Sequence, residues 1–569
     1  MKYLIHIKKM MLLSITWILL FGSCSKELDL VPLDSITDAA VWSDKILTQS
    51  FLNDLTNSTA ELYTVARTDA WTDNCVLYEE NEASEEYRVQ YSEITQENFD
   101  AGWNKFSMIR KCNLFLQQIE TEQTAALFED LERKDMIAQA KTLRGMIYFW
   151  LARRFGGHII LDRVLDPEED LKLPRNTEKE VYDFILADLE AAMPDLIEST
   201  SDKFRITKGA ALAMITMVGI QYPNDDTYYD KAISAGLELE TLGYSLEPNY
   251  EDLFNTFSGV TSSESIFSWA RAEPQGIVMG DTRMGKTINN IGWERQAGLP
   301  PFPEGFGYIA FATHFPSQEL VDSYMFKNGG NPVQRKGTEF EGQDSANMWV
   351  DRDDRFEPSI QHDSSNIYGA IFNMKEGGNQ ARGLSGIGNG TYSGYFFNKW
   401  LYESVTRSVL AWSPPIDWGE PILRLGEVYL NISEAYARKN NLDKAVEYLN
   451  KTRTTHGGLA ELPVTNLTDY WKFYKIERRV ELAYEDDRYW SLIRWSRAEG
   501  NVPIPELNTY LTFINLYQHT DGLVRIQSTA GNVYRAPLKF EVPKRYFFPV
   551  PISEIQNNEK LKQNPDWQN

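Results

Sequence analysis

Metal and disulfide chemistry have little to work with in this sequence. Six His and three Cys are spread over 569 residues. The His stand at 6, 158, 314, 362, 456 and 519, with no close pair and no HExxH helix, so no metal site is signalled. Three Cys are too few for a disulfide framework. No G-x-S-x-G elbow occurs, which removes local support for a serine hydrolase. Gly386, Gly388 and Gly390 alternate without a strand–helix turn, so no nucleotide loop and no cofactor are indicated. Positive charge is also short. Lys and Arg number 57 against 81 Asp and Glu, a net charge of -24 that repels phosphate backbones and excludes nucleic-acid binding as the main role. Beyond residue 21 no apolar run is long enough to cross a bilayer.

Aromatic residues are abundant: 15 Trp, 29 Tyr and 28 Phe. The N-terminus carries Lys2, Lys8 and Lys9, then an apolar stretch from Met10 to Phe21, then Gly22, Ser23 and Cys24. That is the layout of a signal peptide over residues 1–23. A Cys directly after small residues is similar to a bacterial lipobox, with Cys24 as the lipidated residue. Acyl chains on Cys24 would tether the mature chain, residues 24–569, to a membrane without spanning it. Cys75 and Cys112 remain, either as one bridge or as two thiols.

Much of the chain has helical period. Leu143, Met146, Ile147, Trp150 and Leu151 form one buried face, and Gly156-Gly157 stops that helix. Thr177-Glu178-Lys179-Glu180 is a capping box. Helix pairs are expected over 209–243, around a Pro-Asn-Asp-Asp break, and over 427–453, around Lys-Asn-Asn. With further pairs near 100–155, 178–221 and 443–497, the pattern resembles a tetratricopeptide repeat. The fold class expected is mostly α: about four helix pairs over about 36–258 and 420–569, interrupted by an irregular insertion over about 259–419. That insertion holds 21 of the 36 Gly, and short strands are expected within it. A second irregular stretch, 67–98, is polar and rich in Tyr and Glu.

Glu477, Glu481 and Glu485 repeat on one helix face among Arg478, Arg479 and Arg488, which reads as a structural ion-pair network. Asp351-Arg352-Asp353-Asp354 reads as a solvated turn, without calcium-loop spacing. Trp103, Trp150, Trp490 and Trp495 fall at helical core spacing, whereas Trp71, Trp269, Trp293, Trp349, Trp412 and Trp418 lie in or near irregular segments. An exposed flat ring can stack on the C–H face of a pyranose while Asn, Asp and Arg bond its hydroxyls. The binding residues chosen on this basis are Trp71, Asn74, Tyr78, Tyr87 and Arg88 from the first loop, and Trp293, Arg295, Trp349 and Tyr392 from the insertion. No catalytic residue is assigned.

The ordered set of motifs resembles the SusD/RagB-like outer-membrane lipoproteins of Bacteroidetes. It runs from Cys24 and Leu28-Asp29-Leu30-Val31-Pro32, through Trp103 with Ile109-Arg110-Lys111-Cys112-Asn113, to AQAKTLRGMIYFWLARRFGG at 138–157. It continues in RITKGAALAM at 205–214, ILRLGEVYLNISEAYA at 422–437 and IERRVELAYEDDRYWSLIRW at 476–495, and closes in PVPISEIQNNEKLKQNPDWQN. The resemblance implies a tetratricopeptide-like scaffold, an outer-membrane location and a SusC-like TonB-dependent transporter as partner. It implies a hinged lid that captures oligosaccharide and no enzymatic activity. The family's ligand residues form no shared motif, so none carries over. A peptide-capturing RagB-type lid and a surface glycosidase are the competing expectations.

Overall fold

The computed structural model describes residues 38–64, 68–77, 84–271, 314–328, 348–367, 370–378, 381, 390–401, 418–530 and 537–567. The expected signal peptide, Cys24, Tyr78, Trp293 and Arg295 lie outside the described residues.

The chain is mostly helical. Its longer helices are α1 (Lys45–Thr64), α2 (Phe106–Gln118), α3 (Asp130–Phe155), α4 (Glu178–Ala192), α5 (Lys208–Gln221), α6 (Asp226–Glu240), α7 (Leu425–Arg438), α8 (Leu442–Thr455), α9 (Leu467–Glu481) and α10 (Arg488–Ala498). The helix ends follow local chemistry. The Thr177 hydroxyl accepts from the Glu180 N–H, and the Glu180 carboxylate accepts from the Thr177 N–H at 2.7 Å, so the capping box closes as expected. Asn441 and Asp225 cap α8 and α6 through their side chains. Gly156 ends α3 at φ 69°, a conformation that costs glycine nothing. Trp103 departs from expectation: it is fully buried, but it sits in the turn before α2.

Successive helices pack into tetratricopeptide-like hairpins: α3 on α4, α5 on α6, and α7 on α8. The stack passes across the insertion, because α6 lies against α7. Gly236 makes that crossing close. A Cβ there would stand 2.3 Å from Ile432 Cδ1. One contiguous apolar cluster runs from Trp42 to Trp567.

Polar ties hold the stack in register. Arg144 on α3 makes a fork to Asp188 on α4, both bonds at 2.7 Å, and donates to Asn113 on α2 at 2.6 Å. Arg494 on α10 bonds Glu434 on α7.

The strands are short and mostly belong to the insertion: β1 (Cys75–Leu77), β2 (Ser265–Arg271), β3 (His314–Pro316), β4 (Ile360–Gln361), β5 (Asn366–Ile367), β6 (Ala370–Ile371), β7 (Phe396–Phe397), β8 (Trp418–Arg424), β9 (Thr512–Gln518) and β10 (Val524–Ala530). Antiparallel β2 and β8 pair from Ser265↔Arg424 to Arg271↔Trp418, so the insertion leaves and returns on one ribbon. β1 pairs with β3, joining the first irregular stretch to the insertion. The β9–β10 hairpin lies in a stretch read from the sequence as scaffold, and it touches the insertion: the Ile514 N–H donates to Ser393 O and the Glu376 N–H to Leu516 O. Among the described residues, no helix is long and apolar enough to cross a membrane.

Candidate functional site

The insertion is fixed to the scaffold by buried charge. Arg355, fully buried, bonds Asp353, Glu477 and Glu481. Arg424, on the ribbon, bonds Glu264, Glu481 and Glu485. Lys399 reaches Glu485 at 2.6 Å, and burial lowers its pKa to about 8 against the pull of that carboxylate. His456, at the end of α8, bonds Glu481 through Nδ1 at 2.8 Å and Glu264 through Nε2 at 3.0 Å. Burial opposes its charge, but Glu481 and Glu264 outweigh burial and raise its pKa to about 10. Glu264, His456 and Glu481 have metal-like proximity. Both ring nitrogens are engaged, however, and Arg424 and Arg355 take further carboxylate oxygens. The cluster is an ion-pair hub. Glu477 and Glu481 on α9 thus form the structural network expected from their spacing, with different cations, while Glu485 joins it from the turn after α9 and not from the helix face expected. Arg478 turns to Asp487, while Arg479 and Arg488 hold Asp73.

Beside this hub a cavity of about 1000 Å³ opens between scaffold and insertion. Tyr250 and His456 contribute from the scaffold, residues 349–354 and 362–364 from the insertion, and Gly522, Leu523 and Val524 from the β9–β10 turn. Trp349 stands on its wall, 9% exposed. Its ring stacks on His362 at 4.5 Å and 14°, and His362 stacks on Phe356 at 5.7 Å and 9°. His362 is held by Glu357 Oε1 at 2.9 Å and by the Asp363 carbonyl at 2.8 Å. Arg352 pins the Trp349 loop by donating to the Met348, Val321 and Tyr324 carbonyls. The stack is therefore held rigidly before any ligand arrives.

The cavity wall carries carboxylates at Glu251, Asp351, Asp353, Asp354, Glu357 and Asp363 against Lys327, Arg352 and Lys375. Asp353 is spent on Arg355 and Asp354 on Lys327. Glu251 and Asp351 are exposed. Val350 and Leu523 add apolar rim, 57% and 44% exposed. An aromatic stack, available acceptors and an apolar lip can hold a neutral or cationic ligand and disfavour an anionic one. The Asp351–Asp354 segment is not the solvated turn expected. Arg352 and Asp353 are buried, and only its ends face water.

The residues chosen from the sequence divide. Trp349 lies on the cavity. Tyr392 is half-buried and packs on Phe315 at 5.3 Å. Tyr87 packs against Tyr91 at 4.7 Å and 40°, and Arg88 donates to the Asn98 carbonyl. Trp71 and Asn74 require correction, because both are in the core. Trp71 is 4% exposed and meets Tyr489, Trp490 and Phe548 edge-on. Asn74 is 0% exposed and spans Asp69 and Arg479. Their loop is polar because it docks on Arg479 and Arg488, not because it faces water. His362 and Phe356 were missed. A lone His and a lone Phe in an aperiodic segment give no signal. Cys75 and Cys112 are both buried free thiols, with no bridge between them.

Fold and cavity together define the class: a tetratricopeptide-like helical stack that carries a long insertion on a ribbon neck, with an open cavity where the two meet. A family model described as the SusD family matches residues 264–567. A second, described as starch-binding associating with outer membrane, matches residues 29–219. The chain belongs to the SusD family. It is 23% identical to a SusD-like protein of Bacteroides ovatus over 603 residues, covering 99% of this chain and 98% of that one. A solved SusD-like protein of Bacteroides fragilis is 25% identical with a TM-score of 0.76, covering 94% of this chain and 99% of its own. A laminarin-binding SusD-like protein shares the fold, with a TM-score of 0.64 at 18% identity over 92% of this chain and 100% of its own.

Proposed function

We propose that this protein captures oligosaccharides at the outer membrane and passes them to a SusC-like TonB-dependent transporter, without cleaving them. In this reading residues 1–23 are removed, Cys24 is lipidated, and residues 24–569 work as one tethered binding unit. The Trp349–His362–Phe356 stack on the wall of an open cavity carries the proposal. The Trp349 ring has one face on His362 and is 9% exposed, so what it offers a sugar is a small, preorganised contact. The descriptions of the second family model and of the laminarin-binding relative support glycan as the ligand class and the outer membrane as the place. Tyr87, Arg88 and Tyr392 remain in the proposed contact set beside Trp349, as do Tyr78, Trp293 and Arg295.

The acidic wall favours one competing reading. Carboxylates at Glu251 and Asp351 suit a basic peptide, as a RagB-type lid would bind. Calorimetry of the mature chain against neutral hexasaccharides and against Lys-rich peptides separates the two. Neutral glycan should bind, and Trp349→Ala should weaken it about tenfold or more, the worth of about one stacked ring. Binding of peptide alone would replace glycan with peptide. Release of shorter saccharides during incubation would replace capture with catalysis.

A further inference from the structure

A second cavity, of about 570 Å³, lies between α1, α3 and β2. It shares no lining residue with the Trp349 cavity. Its size falls within the usual range of about 300–1,000 Å³ for small-ligand sites.

Its polar wall is built from amides. Gln49, Asn53 and Asn57 recur every four residues along one face of α1, and Gln139 faces them from α3. Two of the three charges on the lining, Glu132 and Arg205, are already paired. Glu132 accepts from Lys45 at 2.6 Å and from Gln49 at 3.0 Å. Arg205 is paired with Asp135, and Asp202 accepts from the Phe204 N–H. The amides are answered only in part. Gln139 donates to Asp135 at 2.6 Å, and its carbonyl oxygen, which is not sealed off, has no partner among the described residues. Gln49 likewise spends its N–H and not its carbonyl. Asn53 is exposed and makes no side-chain bond among the described residues. An amide oxygen that opens on a cavity can be met by water or by a ligand hydroxyl.

Aromatic surface completes the site. Trp269, on β2, lines the cavity with its Nε1–H fixed on Asn57 Oδ1 at 2.9 Å. Phe204 stands at the cavity 40% exposed. Open amide carbonyls accept from hydroxyls, the Asn53 amide donates to them, and the exposed Phe204 ring can cover the C–H face, while Trp269, 4% exposed, backs the wall. With Glu132 and Arg205 paired, the charge left on the lining is that of exposed Asp202, which disfavours an anionic ligand.

We propose that this cavity is a second binding site for a neutral sugar, independent of the Trp349 cavity. It does not require the Trp349 cavity to bind anything.

Calorimetry on the full mature chain tests it, with malto-, laminari-, manno- and xylohexaose as probes. The variants are Asn53→Ala/Phe204→Ala, Trp349→Ala and all three together; the first pair alters exposed side chains, and unchanged melting confirms the fold. At least one probe should bind Trp349→Ala and bind the triple variant at least tenfold more weakly. The proposal is overturned if Asn53→Ala/Phe204→Ala weakens no probe in either background. If Trp349→Ala alone abolishes all binding, the Trp349 site stands and this one falls. If only Asn53→Ala/Phe204→Ala abolishes binding, this site stands and the Trp349 site falls. If no probe binds the unmodified chain, both fall.

Discussion

Replacing Glu481 by Gln tests the ion-pair hub at its centre. The Glu481 carboxylate is 0% exposed. It accepts from Arg424 Nη1 at 2.5 Å, His456 Nδ1 at 2.8 Å and Arg355 Nη1 at 2.8 Å. An amide keeps one acceptor and turns an N–H₂ group against donors that cannot accept. Breaking a buried charge pair from one side costs about 3–5 kcal/mol. The loss should depend on pH. The unfolded His456 titrates near 6.5 and the folded residue near 10. A group whose pKa is raised on folding gives its full stabilisation below 6.5 and loses it as pH rises toward 10. Glu481 is one of the two carboxylates that raise it, so E481Q forfeits part of that contribution. Denaturant unfolding followed by circular dichroism should show a gap of about 3–5 kcal/mol between wild type and E481Q at pH 6, narrowing by pH 10. Glu499→Gln is the control. Its pair with Lys475 is 3.0 Å long and about a third exposed on each side, so the change should cost about 0–1 kcal/mol. The reasoning fails if E481Q unfolds with E499Q, or if the gap stays constant from pH 6 to pH 10.

The close approach of α6 to α7 gives a second test. Gly236→Leu should destabilise the chain by about 1–3 kcal/mol or more through overpacking against Ile432, and Gly236→Leu/Ile432→Ala should recover most of the loss. A double variant no better than the single would place the strain elsewhere. The thiols give a third. Burial raises the pKa of Cys112 to about 12 and that of Cys75 well above its ordinary value. An aromatic disulfide reagent at pH 8 should leave both unmodified in the native chain and label both in denaturant. Stoichiometric labelling of the native chain would contradict their burial.

The helical stack was legible because its information is local. Thr177 and Glu180 are three residues apart, Asn441 caps the helix it begins, and the apolar faces repeat at 3.6 residues. The insertion was legible only as an absence of period. Its strands are mostly two to three residues long, and β1 finds its partner β3 far along the chain. The same distance explains the hub. Glu477 and Glu481 announced a network, but their cations, Arg355, Arg424 and His456, arrive from the insertion, the ribbon and α8. Trp71 and Asn74 were misplaced for a related reason. A polar loop reads as solvated unless the arginines that neutralise Asp73 are known to lie beneath it.

Those arginines also explain why the anchor is ionic. Apolar residues of similar volume would often hold two surfaces at least as tightly as a buried ion pair does. They would not hold them in one register, since apolar contact tolerates sliding and a forked guanidinium does not. Arg355 is fixed by three carboxylates from two sources: Asp353 beside it, and Glu477 and Glu481 on α9. Trp349 lies six residues before it, on a loop whose next residues, Asp351 and Asp353, are bonded backbone to backbone to Lys327 and Met325. The chain between anchor and ring therefore has little freedom. In this arrangement the helical repeats supply a rigid face, the buried charges set where the insertion sits on it, and the cavity wall is free to differ in sequence without loosening the anchor. That separation accounts for a shared fold whose members, at 18% and 25% identity to this chain, need not share their contact residues.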